Sequence, residues 1–124
     1  MIKGNHFYLK AANSILEVIN NIDNSQYQIC FIVDNEECLI GSITDGDIRR
    51  GLIEGISIDS EASKIMNSNP ISIHKNKSER QAKTIMSSEN IKQLPVIDEN
   101  NILVGLHLMD QILNLAPKDN VILI

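Results

Sequence analysis

Apolar residues recur along this chain in two rhythms. At Ile15, Val18, Ile19 and Ile22 they fall three and four apart, the spacing that gathers them on one face of a helix. Residues 29–33 and 39–43 are instead short runs of strand-forming residues, split by the polar turn Asp34-Asn35-Glu36-Glu37. A second helix is predicted over 46–53, and a short leading strand over 7–9. The series then returns. Ala82, Ile85 and Met86 repeat the helical spacing, 94–97 and 102–106 repeat the two runs around Asp98-Glu99-Asn100-Asn101, 110–115 repeats the second helix, and 71–73 the leading strand. Val33-Asp34 and Gly41 recur as Ile97-Asp98 and Gly105 at one constant offset (98 − 34 = 64; 105 − 41 = 64), and the copies align without a gap from Ser14/Ser78 to Ile48/Ile112.

Each copy therefore reads β-α-β-β-α. At roughly 50 to 60 residues, neither could bury both faces of a three-stranded sheet by itself. Two copies packed sheet to sheet about a pseudo-twofold axis solve that problem, which predicts a mixed α/β (α+β) fold. The first repeat is assigned to 1–56, a linker helix and the second repeat to 57–116, and a tail to 117–124. In the linker, Asp59-Ser60-Glu61 resembles a helix start, Ala62, Ile65 and Met66 give an inward stripe, and Pro70 ends the helix and sets the backbone extended. In the tail, Pro117-Lys118-Asp119-Asn120 is a break and Val121-Ile122-Leu123-Ile124 a strand-like run. That run reads as the opening strand of a further domain, with a frayed tail or a strand taken up by a dimer partner as the alternative.

Composition narrows the function classes. At 43% hydrophobic and 22% charged residues, the 124-residue chain is ordinary globular material. A net charge of −5 and only two Tyr, two Phe and no Trp argue against nucleic acid, which demands a basic face and stacking rings. No apolar run approaches a membrane span and no basic-then-apolar leader opens the chain, so the default location is cytoplasmic. Cys30 and Cys38 lie in adjacent predicted strands; a disulfide between them stays open, and buried small hydrophobes are the favoured reading. His6, His74 and His107 lack acid or cysteine partners at ligand spacing, so no metal site is expected. Met66, Met86 and Met109 read as core, and Ser14 and Ser78 as N-caps. With no nucleophile–base pair, no catalytic residue and no required cofactor are assigned.

One polar loop stands out. In Gly41-Ser42-Ile43-Thr44-Asp45-Gly46-Asp47-Ile48-Arg49-Arg50, a strand ends and a helix begins, and a helix start offers free N–H groups to a phosphate. The Thr44 hydroxyl can donate to a phosphate oxygen, the Asp47 carboxylate can accept from a ribose diol, and Gly46 permits close approach. Arg49, Arg50 and, from the second repeat, Lys92 supply cations. The competing reading is a helix N-cap with acids complementing the helix dipole. The second repeat starts the equivalent helix with Leu108 in place of Thr44 and Gln111 in place of Asp47, so capping does not require the whole set, and binding is the better account.

These residues resemble a tandem pair of CBS domains, the regulatory module named after cystathionine β-synthase, over residues 5–116. Gly41, Thr44 and Asp47 match the family's loop, and Leu94-Pro95-Val96-Ile97-Asp98 and the entry through Pro70 match its strands. The resemblance implies a pseudo-symmetric disc with two clefts, where adenine nucleotides commonly bind. It implies that Ser42, Thr44 and Asp47 form one wall of a cleft, Thr44 on phosphate and Asp47 on ribose. Pro70 and Ile71 would flank the adenine, and Ile91, Lys92, Gln93 and Pro95 would line base and phosphate. The opposite cleft would use Leu108 and Gln111 with Phe7, Tyr8, Tyr27 and Gln28, a set that departs from the family pattern.

A narrower resemblance is to the CBS pair preceding bacterial sugar-phosphate nucleotidyltransferase domains, whose first strand would start near Asn120. Similar Thr-Asp-Gly-Asp runs occur in the CBS pairs of sugar-phosphate isomerases. The expectation is a regulatory, ligand-sensing pair that binds an adenine nucleotide of the AMP, ADP or ATP class and modulates an attached or partner nucleotidyltransferase. The alternatives are the isomerase module, or a structural dimerisation module whose helices 46–53 and 110–115 form a homodimer face.

Overall fold

The computed structural model describes residues 1–113. Two strand-helix-strand-strand-helix units follow one another. The first comprises β1 (Tyr8–Lys10), α1 (Ile15–Ser25), β2 (Ile29–Val33), β3 (Leu39–Thr44) and α2 (Asp45–Ile53). The second comprises β4 (Ile73–His74), α3 (Glu79–Ser88), β5 (Gln93–Ile97), β6 (Leu103–Leu108) and α4 (Met109–Leu113). The expected extension of the last helix to 115 and the tail 117–124 lie outside the described residues.

Each unit carries a three-stranded sheet, with β2 central in the first and β5 in the second. Leu9↔Ile32 in the parallel pair becomes Ile73↔Val96, and Ile29↔Thr44 in the antiparallel pair becomes Gln93↔Leu108, so the register repeats at the offset of 64. Even the register shift recurs, between Ile32 and Val33 and between Val96 and Ile97. The local chemistry that starts the helices also repeats. Ser14 caps α1 and Ser78 caps α3, each in a reciprocal box with the residue three further on, Glu17 and Gln81. Both helices give way to a left-handed residue near their ends, Gln26 (φ 64°) and Asn90 (φ 56°).

Strand alternation sorts the core into three layers. Cys30 and Ile32 point to the α1–α2 side, where they join Ile15, Val18, Ile22, Ile43 and Ile48. Phe31 and Val33 point the other way and meet Leu103 and Leu106 of the second sheet, so this cluster glues sheet to sheet. Leu94 and Val96 bury against Ala82, Met86 and Ile112. Burying each large apolar side chain contributes roughly 1.5–3 kcal/mol, and the middle layer exists only when both repeats are present. Backbone bonds tie the units with the same twofold logic: Leu39 N–H donates to Asn101 O (2.9 Å) and Leu103 N–H to Glu37 O (3.0 Å).

The linker departs from expectation. Only a single 3-10 turn, Ala62–Lys64, forms, and its N-cap Glu61 makes no side-chain capping bond. Beyond it the chain is held by sheet-like pairing that a helix could not supply: Asn67 N–H donates to Ser42 O (2.8 Å) and Ser42 N–H to Asn67 O (3.0 Å). Ile2 pairs with Leu106 in the corresponding way on the second sheet (2.7 and 2.9 Å). These close approaches explain the repeated glycines. A Cβ at Gly41 would sit 2.6 Å from the Met66 sulfur, and one at Gly105 would sit 2.5 Å from the Met1 sulfur.

Cys30 and Cys38 are both free, the first buried and the second partly so. Burial pushes the Cys30 thiol up to about 12, so it behaves as a small hydrophobe. Among the described residues no helix is long and apolar enough to cross a membrane, and no cluster of three or more His, Cys, Asp or Glu could hold a metal ion.

Candidate functional site

The polar loop at the β3–α2 junction closes on itself. Thr44 Oγ1 accepts from Asp47 N–H (3.4 Å), while Asp47 Oδ2 accepts from Thr44 N–H (2.9 Å) and from the Thr44 hydroxyl (3.1 Å). The remaining carboxylate oxygen, Oδ1, accepts from the Arg50 guanidinium at 2.6 Å. The competing capping role of this pair is therefore realised, and reciprocally. The open approach to Gly46 is occupied as well, since a Cβ there would sit 3.3 Å from Arg50 Nη1. Asp47, Arg49 and Arg50 do not line the large cavity described next: Asp47 and Arg50 border a recess of their own beside Lys64 and Met66, and Arg49 is exposed.

That cavity, of about 570 Å³, opens between the two units. Its first wall is Gln28, Ile29 and Phe31 with Ser42 and Thr44 of β3. The chain leading to β4 supplies Asn67, Asn69, Pro70 and Ile71, and the approach to β5 supplies Asn90, Ile91, Lys92, Gln93 and Pro95. Of the eleven residues expected at the site, eight come together here: Ser42, Thr44, Pro70, Ile71, Ile91, Lys92, Gln93 and Pro95. Phe31, Ile29 and the side-chain amides of Gln28, Asn67, Asn69 and Asn90 were not expected on this wall. Two of those amides, Asn69 and Asn90, flank expected residues, Pro70 and Ile91, and only the Asn67–Ser42 pairing brings the linker across. Gln28 carried a usable signal, because it is the repeat mate of Lys92 (92 − 28 = 64). Its backbone is left-handed (φ 67°), an energetically sparse conformation for a residue with a side chain. Gln93 Nε2 donates to Tyr27 O (2.8 Å), joining the second repeat to the first at the cavity's edge.

One residue bears on why this cleft is wider than its twin. In the first repeat Phe31 N–H donates to Phe7 O (3.0 Å), which ties Phe7 into the sheet and buries it completely. The equivalent of Phe31 is Pro95, and proline has no N–H. Ile71, the equivalent of Phe7, receives no such bond, β4 shrinks to two residues, and Ile71 stays 40% exposed at the cavity. On the opposite side Phe7 packs edge-on against His6 and Tyr8, each with ring centroids 5.4 Å apart, and His6 Nε2 bonds Tyr27 OH at 2.9 Å. The recess left there is about 240 Å³ and is bordered by Gln26, Tyr27, Gln28 and Leu108 with Lys92, Gln93, Met109 and Asp110. It shares Gln28, Lys92 and Gln93 with the larger cavity, but is not bordered by Phe7, Tyr8 or Gln111. The Tyr8 hydroxyl instead donates to Glu37 (3.1 Å), and burial and that carboxylate raise its pKa. His107 is buried, and burial lowers its pKa below the usual 6.5.

The geometry has counterparts among known proteins. The model of the CBS domain matches residues 2–54 and 62–106. An uncharacterised protein of Rickettsia prowazekii is 34% identical over 78% of this chain, and the arabinose 5-phosphate isomerase GutQ of Salmonella typhi is 28% identical over 76%. The chain spans about 30% of the length of these two relatives. One of these relatives is a sugar-phosphate isomerase and the other is uncharacterised, and neither lends support to the nucleotidyltransferase resemblance. Among solved structures, the CBS domain protein PAE2072 from Pyrobaculum aerophilum, complexed with AMP, superposes with a TM-score of 0.74 at 22% identity, covering 88% of this chain and 84% of that one. The CBS domain pair of protein MJ0100, in complex with 5′-methylthioadenosine and S-adenosyl-L-methionine, gives 0.73 at 27% identity, covering 88% and 89%. Family model, repeat register and superposition agree: the chain belongs to the CBS domain family, as a tandem pair of these regulatory modules.

Proposed function

We propose that the 570 Å³ cavity binds an adenine nucleotide and that its occupancy regulates an enzyme acting on sugar phosphates, attached to this chain or partnered with it. The observation that carries the reading is the composition of the cavity. The apolar lining residues Pro70, Ile71, Ile91 and Pro95 suit a purine face, and the hydroxyls and amides on the lining, with Lys92, suit a ribose phosphate. The adenosine-derived ligands of the MJ0100 pair, 27% identical to this chain, support the ligand class. The isomerase relatives favour an isomerase over a nucleotidyltransferase as the regulated enzyme. Thr44 faces the ligand, whereas Asp47, held by Arg50, acts on it through the shape of the β3–α2 corner. Repeat boundaries at 1–56 and 57–116, and a cytoplasmic setting, belong to the same reading.

Because a ligand here touches both repeats and the linker, binding changes how the repeats pack, and it can shift a two-state equilibrium only by its difference in affinity for the two states. Calorimetric titration with AMP, ADP and ATP tests the site. Ile71→Asp, at an exposed position, places a hydrated carboxylate where the purine face would lie and is expected to abolish the heat while leaving the fold intact. Absence of heat with every nucleotide on the unaltered chain ends this reading. A homodimer is a second inference, carried by Leu52 (45% exposed) and Ile53 (77% exposed) on α2. Light scattering on the unaltered chain and Ile53→Lys is expected to give dimer and monomer respectively.

A further inference from the structure

The number of phosphates the cleft accepts is written in its charges. Among the described residues lining it, Lys92 is the sole ionisable side chain. Its ammonium makes no ion pair among the described residues, and its own backbone is fixed, its carbonyl accepting from Met109 N–H at 2.9 Å. The other polar groups are neutral: the hydroxyls of Ser42 and Thr44 and the amides of Gln28, Asn67, Asn69, Asn90 and Gln93. Neither arginine that the sequence offers as a further counter-ion borders the space, and Arg50 is committed to Asp47. Immediately after Thr44 comes Asp45, exposed and without an ion pair among the described residues.

A phosphate monoester brings a charge of about −1.5 to −2, which one ammonium and a set of N–H and O–H donors can offset. Each added phosphate brings about one more negative charge, while among the described residues the lining holds no second cation and the Asp45 carboxylate next to the Thr44 wall has no ion pair. Resting on the nucleotide reading above, we propose that this cleft selects a nucleoside monophosphate over the di- and triphosphate, with Lys92 as the counter-ion that distinguishes the monophosphate from the bare nucleoside.

The test is a calorimetric titration of adenosine, AMP, ADP and ATP, the last with and without Mg²⁺, into the full chain and into Lys92→Gln and Lys92→Arg. Lys92 is exposed, so neither variant disturbs the core. AMP is expected to bind tightest, with adenosine and ATP each about tenfold weaker, the size of one charge-assisted hydrogen bond. In Lys92→Gln the AMP advantage over adenosine is expected to vanish, and in Lys92→Arg to return. ATP binding as tightly as AMP, or an unchanged AMP-to-adenosine ratio in Lys92→Gln, overturns the charge selection and leaves the nucleotide site standing. No binding by any of the four, adenosine included, overturns the site and the selection together.

Discussion

Asp47 illustrates how one side chain can satisfy two readings of a motif. Its two oxygens are taken by the Thr44 backbone and hydroxyl and by Arg50, so its immediate work is to fix where β3 stops and α2 starts, and that corner sets the direction of the Thr44 side of the cavity. Asp47→Ala is expected to lower the unfolding free energy by about 1 kcal/mol, the typical worth of such a cap, measured by urea denaturation. Arg50→Ala should change it by less, because the guanidinium is 68% exposed and a surface pair contributes little. His107 gives a different residue-scale expectation. Burial holds its folded pKa below 6.5, so the unfolded chain binds more protons as pH falls below that value. Stability should therefore decline on acidification below 6.5 and stop declining from this source beneath the folded pKa. Thermal melts of the unaltered chain and His107→Leu at pH 7.5 and 5.5 should show the smaller drop in the variant.

At the scale of elements, the short β4 is the decisive difference between repeats. A proline in a central strand removes one ladder bond, and here the missing donor faces the residue that would otherwise be drawn in as Phe7 is. Restoring the donor with Pro95→Val should let the new backbone N–H reach Ile71 O, extend β4 and narrow the cavity. Stability is expected to rise by up to about 1 kcal/mol, the net worth of one added hydrogen bond, while nucleotide affinity falls. Denaturation and titration on the same variant check the two signs together. An affinity unchanged by the substitution would detach Pro95 from the opening of the cleft. The linker makes the complementary point: its apolar spacing allowed a helix, yet pairing of Asn67 with both backbone groups of Ser42 held it extended.

For the whole molecule, the middle hydrophobic layer makes the two repeats one cooperative unit, and the cavity is a property of their contact. A ligand that binds only the folded pair should raise its thermal midpoint. At about one hundred times the Kd the gain is about 2.7 kcal/mol, which corresponds to a rise of several degrees for a chain of this size. The smaller second recess, about 240 Å³ against about 570 Å³, predicts a stoichiometry of one ligand per chain. Differential scanning calorimetry with saturating AMP and the titration endpoint measure both, and two ligands per chain would contradict the packing of Phe7, His6 and Tyr27.

The repeat, the order of elements in each copy and the N-caps at Ser14 and Ser78 were legible in the chain, because periodicity and capping act over a few neighbours. Ser42 and Thr44, by contrast, were expected on the cleft wall through the family resemblance, and Asp47, expected with them, lies off the lining. The offset of 64 even carried the strand register, since a duplicated pattern of inward and outward side chains admits only one pairing per copy. Three things required the folded molecule. The linker's pairing with Ser42 and the exchange of Ile2 onto Leu106 join residues far apart in sequence. The engagement of Asp47 by Arg50, with Lys92 the one cation on the lining among the described residues, depends on where side chains settle once the backbone is fixed. And the greater width of one cleft beside its narrower twin follows a hydrogen bond that Phe31 can donate and Pro95 cannot, a difference that acquires meaning only when each faces its partner strand.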